Sequence, residues 1–383
     1  MSFFLFVKQI VDMLYSYKIL DYFMVGLILL MLVYQIMLVR PDFRTMFTKA
    51  DGIVMAICGL LTINYMKSTS EYETYFKILS AFLMYFVGRI YYERIRECYG
   101  ALVSSAYIVV YLNLFRRISN FGDRLFQVTN AGGDLYYYDT DMAFAMILAF
   151  VFIAMFGKNS VIKLFTILLV CPYMVFYSDA GIQKILLLVV MAVILVYIME
   201  LILRKQKLSN MLLIGMITGL IAIVVLVYLP IMGVGDVNNI AVLFKGKLLD
   251  YQNMTARYTA WKEVLTLAKE QGISGQIFGN GLSVGAGEGI YVESLYIKIY
   301  YVLGWLGLLL ALGMLMAVIR YIVMVKDRKT FYLMVMMVVI LLGTGVTINS
   351  VERVQMSWFP MMFAGMVVSS VQVERREKEY ETK

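Results

Sequence analysis

Long apolar windows alternate with short charged connections along almost the whole chain. The windows fall near residues 22–39, 52–66, 75–90, 98–115, 141–156, 161–177, 182–203, 211–232, 291–319, 330–350 and 355–372. About 20 residues of helix cross a hydrocarbon core of ~30 Å, so the pattern predicts about eleven transmembrane helices. The windows 52–66 and 141–156 are short for a crossing and are expected to extend into their flanks. A further pass near residues 3–20 would make twelve. That first segment is interrupted by Lys8, Asp12 and Lys18 and has neither a basic leader nor a small-residue cleavage site. It reads as an interfacial helix and not as a signal peptide. No repeat or low-complexity tract breaks the pattern, so residues 1–383 are expected to form a single transmembrane domain.

The connections carry basic residues unevenly. One alternating set, 40–51, 89–97, 157–163, 204–210, 320–329 and 373–383, holds 19 Lys/Arg in 56 residues, and the other set holds 14 in 126. Basic residues are retained on the cytoplasmic side, so a density ratio of about three makes the first set cytoplasmic. The two long connections, 116–140 and 233–290, then fall on the outer face, the second between the eighth and ninth helices. Loops of that length tend to carry function. Lys298 is left over, a basic residue inside a span.

Composition agrees with this picture and narrows the chemistry. The chain is 62% hydrophobic and only 16% charged, against about a quarter charged in soluble domains. Its net charge of +8 is accounted for by the cytoplasmic connections and calls for no nucleic-acid partner. Histidine is absent, which removes the commonest metal ligand and neutral-pH base. Proton chemistry must rest on carboxylates, Lys, Tyr or water, and no metal or cofactor is expected. Cys58, Cys98 and Cys171 lie in apolar stretches without ligand spacing and read as small buried hydrophobes.

Within the 233–290 loop, Asn253 or Thr255 can cap a helix ending at Gly272. Arg257, Trp261, Val264, Leu265 and Ala268 share one face of it. The Arg257 guanidinium fork suits a phosphate group of a lipid substrate; equally, its stem can cover apolar surface while its head meets lipid headgroups. The glycines at 272, 275, 279, 281, 285, 287 and 289 form a flexible approach to the next span. They can cradle a diphosphate through main-chain N–H groups or make an ordinary turn. Glu293 stands at the outer end of that span, either as a working carboxylate or as a helix-end charge.

Taken in order, Arg257 with Trp261, Gly279-Asn280-Gly281, Glu293-Ser294 with Tyr296, and Gly304-Trp305-Leu306-Gly307-Leu308 resemble the O-antigen ligase and polymerase family. These are integral-membrane proteins that handle lipid-linked glycans on the outer face. The match covers residues 255–310. Weaker echoes are Asp139-Thr140-Asp141 with Phe144-Ala145, and Tyr177-Ser178-Asp179-Ala180-Gly181 with Lys184, where the family's Arg is missing. Ligases of the family carry His where this chain has Glu293, which points to the polymerase side.

The resemblance implies a metal-independent glycosyltransferase of the bacterial cytoplasmic (inner) membrane. It would join undecaprenyl-diphosphate-linked oligosaccharide repeats into a surface polysaccharide such as O-antigen, capsule or exopolysaccharide. Arg257 and Glu293 would be catalytic, Arg257 on the diphosphate and Glu293 as the base. Arg257, Lys184, Arg116, Arg124, Trp261, Gly279, Gly281 and Tyr296 would bind substrate, with a chain-length regulator and a flippase as further partners. The rivals are a ligase that moves a finished glycan to another acceptor, and a flippase or transporter of lipid-linked sugars. A flippase should line a central cavity with charges from several spans, whereas these windows are nearly charge-free. Arg116, Arg117 and Arg124 among Asp123, Asp134, Asp139 and Asp141 fit either an anionic headgroup or a solvated loop. Tyr136, Tyr137, Tyr138, Tyr291, Tyr296, Tyr300 and Tyr301 fit sugar stacking or an interfacial belt. Glu352 and Arg353 are expected to pair locally in a tight outer turn.

The charge asymmetry makes a direct prediction. Cysteines introduced at Asn238 and Gly275 should react with a membrane-impermeant thiol reagent in intact cells, and one at Gln206 only after lysis. Reaction of Gln206 from outside would invert the topology.

Overall fold

The computed structural model describes residues 1–14, 18–39, 47–67, 71–119, 139–178, 180–203, 215, 251–282 and 293–381. Among these every regular element is helical and no strand occurs. In chain order they are α1 (Ser2–Met13), α2 (Lys18–Val39), α3 (Lys49–Met66), α4 (Tyr72–Ile90), α5 (Tyr92–Glu97), α6 (Tyr99–Ser119) and α7 (Asp139–Phe156). Then come α8 (Val161–Tyr177), α9 (Gly181–Leu203), α10 (Tyr251–Glu270), α11 (Gly272–Phe278), α12 (Leu295–Met324), α13 (Arg328–Gly345) and α14 (Val354–Glu381). Ten of the apolar windows therefore coincide with helices, and the window 211–232 lies outside the described residues.

Among the described residues, six helices are long and apolar enough to cross a membrane: Ile19–Met37, Tyr99–Ser119, Gly181–Ile202, Leu295–Met324, Arg328–Gly345 and Val354–Arg375. Thr140–Phe156 and Val161–Tyr177 are shorter apolar helices. The outward faces agree: Leu29, Leu30 and Val33 on α2, Leu164 and Leu168 on α8, Leu188 and Leu195 on α9, and Leu309 and Met316 on α12 are all exposed. So much contiguous hydrocarbon on the outside is tolerable in lipid and not in water. The chain is a multi-pass helical membrane protein.

Two helices form the centre. On α7, residues Met142 to Ile153 are buried almost without interruption, and the membrane window of α14 is buried throughout. A helix apolar on all sides belongs inside the bundle. The partner of α14 is α4. A Cβ on Gly88 would collide with the Met362 backbone, and one on Gly365 would collide with the Tyr85 carbonyl. The two backbones touch there, as small residues allow. The Trp358 indole N–H donates to Ser80 Oγ at 2.9 Å and fixes the register.

At one end of the bundle, α3 opens with a capping box between Thr48 and Asp51. The same carboxylate takes a bidentate contact from Arg89, at 2.9 and 3.0 Å, and the Tyr85 hydroxyl at 2.8 Å. Arg89 also reaches Ser369 at 2.7 Å and Gln372 at 2.9 Å, tying α3, α4 and α14 together. At the opposite end α1 turns one face into the bundle. Its buried Lys8 pairs with Asp12 one turn on and lies 4.7 Å from the Trp358 ring, so the charge is neutralised where it is buried.

The region of α10 and α11 departs from expectation in two places. Asn253 and Thr255 do not cap α10, because the helix already runs from Tyr251 and both lie inside it. The first part of the glycine run is not an open approach: Gly272, at φ +76°, turns the chain after α10 and begins α11, Gly272–Phe278.

Helix α11 docks where α12 breaks. Gly304 has φ +66° and ψ −165°, outside the helical region, and a Cβ on it would strike the Ile277 carbonyl. Gly279, at φ +89°, makes the reciprocal approach to Val302. The break frees the Tyr301 carbonyl, which accepts from the Asn280 N–H at 3.0 Å. Asn64 Nδ2 donates to the Phe278 carbonyl at 2.8 Å and Lys67 Nζ to the Gly279 carbonyl at 2.9 Å, so α3 holds the same corner.

Gly279→Ala should therefore lower the thermal midpoint in detergent, at a cost of about 2 kcal/mol or more from positive φ and collision together. Gly59→Ala, in the interior of α3 with open space at its Cβ, should be neutral or slightly stabilising. Equal midpoints for the two would remove the corner's importance.

Candidate functional site

Arg257 and Glu293, 36 positions apart in the sequence, meet. Arg257 Nη2 lies 2.6 Å from Glu293 Oε2. The position of Arg257 follows from its helix: Trp261, Val264 and Ala268, on the expected stripe, are buried, so α10 is clamped by that face and Arg257 leads at its start. Tyr258 is buried beside them, edge-on to Trp261. Burial pushes its hydroxyl up to about 12, so it stays protonated at neutral pH. Glu293 precedes the α12 cap, where Ser294 Oγ accepts from the Ile297 N–H.

The second arm of the fork, Arg257 Nη1, donates to the Thr347 carbonyl in the turn between α13 and α14. One guanidinium thus joins the start of α12 to that turn. The Glu293 side chain is 36% exposed and the Arg257 side chain 21%. The pair is therefore a half-buried ion pair that a ligand can reach. It presents a cation with several donors beside a carboxylate.

The turn carries more than its sequence promised. Glu352 and Arg353 do not pair with each other; they lie in the turn before α14, and their side chains reach different neighbours. Arg353 Nη1 lies 2.6 Å from Asp141 Oδ1 on α7. Glu352 takes the Asn349 amide at 2.5 Å and the Thr74 hydroxyl at 3.4 Å, and lies 3.8 Å from Lys298 Nζ. Sequence reading left Lys298, Asn349 and Thr347 without a role. The available signal was Lys298 itself, since a cation inside a span implies a partner on a neighbouring helix end.

The remaining expected residues are placed differently. Trp261 is buried in the protein and not open for stacking. The Gly279 N–H closes α11 on the Gly275 carbonyl at 2.8 Å, and Gly279 and Gly281 both have positive φ. The Tyr296 hydroxyl donates to the Leu342 carbonyl at 2.8 Å, anchoring α12 to α13. Arg116 is buried in the last turn of α6, and its neighbour Arg117 lies 3.9 Å over the Tyr177 ring. Lys184 is half-buried in the first turn of α9. That helix packs on α7, α8 and α13, and Leu186, two residues on, lies against Gly343 near the end of α13. Arg124, Tyr136, Tyr137, Tyr138 and Tyr291, with loop residues 233–250 and 283–290, lie outside the described residues.

No family model, curated protein or solved structure matches this chain.

The Arg353–Asp141 link is open to a stability test. The Asp141 side chain is 4% exposed and the Arg353 side chain 18%. Arg353→Met should destabilise the protein by about 3 kcal/mol or more by stranding a buried carboxylate. The double variant with Asp141→Asn should recover most of the loss in thermal unfolding. Additive losses would mean that the two side chains are not coupled.

Proposed function

We propose that this protein is a membrane-embedded glycosyltransferase that polymerises undecaprenyl-diphosphate-linked oligosaccharide repeats into a surface polysaccharide. The observation that carries the reading is the 2.6 Å contact between Arg257 and Glu293. Both residues belong to the sequence pattern that resembles the O-antigen ligase and polymerase family, and both side chains are accessible. In the proposed topology the chain crosses the bacterial cytoplasmic membrane eleven times, through α2, α3, α4, α6, α7, α8, α9, the window 211–232, α12, α13 and α14. The basic connections face the cytoplasm and the Arg257–Glu293 pair faces outward.

In this mechanism a sugar hydroxyl of one lipid-linked repeat attacks the anomeric carbon of the growing chain. The new C–O bond forms as the bond from that carbon to the diphosphate breaks, and the lipid diphosphate leaves with the electron pair. Glu293 takes the hydroxyl proton. Arg257 stabilises the charge that develops on the leaving diphosphate, and the Thr347 carbonyl holds its fork in place.

Glu293→Gln keeps size and hydrogen bonding but cannot accept the proton. It should insert normally and bind the lipid-linked donor, with polymer formation down about 10²- to 10⁴-fold and unpolymerised repeats accumulating. Arg257→Lys should lose most polymerisation despite keeping the charge, because a point charge cannot serve two acceptors as the fork does. Polymer of normal length and amount from both variants, at matched abundance, would refute the assignment. Full-length unattached chains would indicate a ligase, and repeats trapped inside a flippase.

A further inference from the structure

Between α3, α4, α12, α13 and α14 lies a cavity of about 400 Å³, inside the ~300–1,000 Å³ range of small-molecule sites. Its wall is almost wholly hydrocarbon, with Leu61, Phe82, Val302, Leu315, Leu341 and Met361 as typical members. Two small residues of α12, Gly307 and Ala311, belong to the lining. Leu312 belongs to the lining and is also exposed on the outside of the bundle. The cavity therefore has a side facing the bilayer.

Besides Tyr296, whose hydroxyl donates to the Leu342 carbonyl, two polar side chains interrupt that wall, Lys298 and Asn349. Lys298 lies one turn into α12, close in sequence to Glu293, and Asn349 lies in the turn that offers the Thr347 carbonyl to Arg257. The polar end of the cavity and the Arg257–Glu293 pair thus share the same two structural elements. Lys298 Nζ is 3.8 Å from Glu352 Oε2, beyond hydrogen-bond distance. That oxygen already takes the Asn349 amide at 2.5 Å. The ammonium keeps donors for another acceptor. A cation at the mouth of an apolar slot complements a hydrocarbon chain with an anionic head.

We propose that this cavity holds the first isoprene units of the polyprenyl diphosphate carrier and that Lys298 contacts its phosphate. The carrier's identity rests on the function proposed above, whereas the pairing of chain and phosphate rests on the cavity and Lys298. In this arrangement Lys298 supplies a phosphate contact beside Arg257. Glu352 and Asn349 are positioning residues that hold the ammonium at the mouth when the slot is empty.

The test uses full-length protein in phosphatidylcholine nanodiscs and measures binding of farnesyl diphosphate, farnesol, inorganic diphosphate and phosphatidylglycerol. Farnesyl diphosphate should bind more tightly than the other three. Lys298→Met should weaken it on the order of tenfold, the loss expected for one charged hydrogen bond, and leave farnesol unchanged. Ala311→Phe should weaken both isoprenoids by filling the slot. Independently of how that variant folds, farnesyl diphosphate should slow maleimide modification of Leu312→Cys and not of Leu309→Cys, which is exposed but outside the lining.

Unchanged farnesyl diphosphate binding in Lys298→Met, or unprotected Leu312→Cys, would overturn the proposal. So would phosphatidylglycerol binding equally well with the same sensitivity to Lys298→Met, because the occupant would then be bulk anionic lipid. The two readings fail separately. Normal polymer from Glu293→Gln with Lys298-sensitive binding removes only the catalytic assignment, and lost polymer with Lys298-insensitive binding removes only the slot.

Discussion

The contact between α4 and α14 at Gly88 and Gly365 sets the frame for the end of the bundle that carries Arg257 and Glu293. In a bilayer, lipid tails are as apolar as Leu, so helices gain little from hiding hydrocarbon against one another and depend on close packing and interhelical hydrogen bonds. Here the backbones approach until neither glycine has room for a Cβ. Trp358 on Ser80 fixes the position along the helix, and Arg89, shared among Asp51, Ser369 and Gln372, fixes the rotation. With α14 held in this way, Glu352 and Arg353 at its start have no freedom of place. The turn that carries Thr347 and Asn349 is held with them.

Charge follows the same logic. Four buried charges each meet a partner of opposite sign, Lys8 with Asp12, Arg89 with Asp51, Asp141 with Arg353, and Glu200 with Arg328 at 3.2 Å, the last also taking the Tyr332 hydroxyl at 2.5 Å. Such pairs weigh desolvation against attraction and add little net stability, but losing one partner is costly. All but Lys8–Asp12, which lies within α1, join different elements and act as registry pins between them. The Arg257–Glu293 pair differs in being half exposed. It gives up protection from water and gains access to a ligand.

Much of this was legible in the sequence, and the parts that were not share a cause. Helix positions follow from runs of apolar residues, a local property, so windows such as 75–90 and 98–115 reappear as Tyr72–Ile90 and Tyr99–Ser119. The buried stripe of α10 was readable from spacing for the same reason. Partners across the bundle were not readable. Arg353 sits beside Glu352 in sequence, yet its partner Asp141 is 212 positions away. The break at Gly304 was equally hidden, because its Gly-Trp-Leu-Gly surroundings suit an uninterrupted apolar helix and only the docking of α11 explains the positive φ. Arg257 and Glu293 were found by their order in a motif, which carried the long-range information that composition lacked.

The bond from the Asn280 N–H to the Tyr301 carbonyl has a consequence for biogenesis. A peptide carbonyl released inside hydrocarbon is costly, and irregular backbone at membrane depth persists only where protein satisfies it. Here the satisfying group comes from the loop that precedes the helix, so α11 completes the backbone of α12 and does not merely rest upon it. Chain order suits that need, since Asn280 is synthesised before Tyr301 and α11 is available when α12 enters the bilayer. Loop and helix form one folding unit, and a loop transplanted from another protein would have to bring its own donor to that carbonyl.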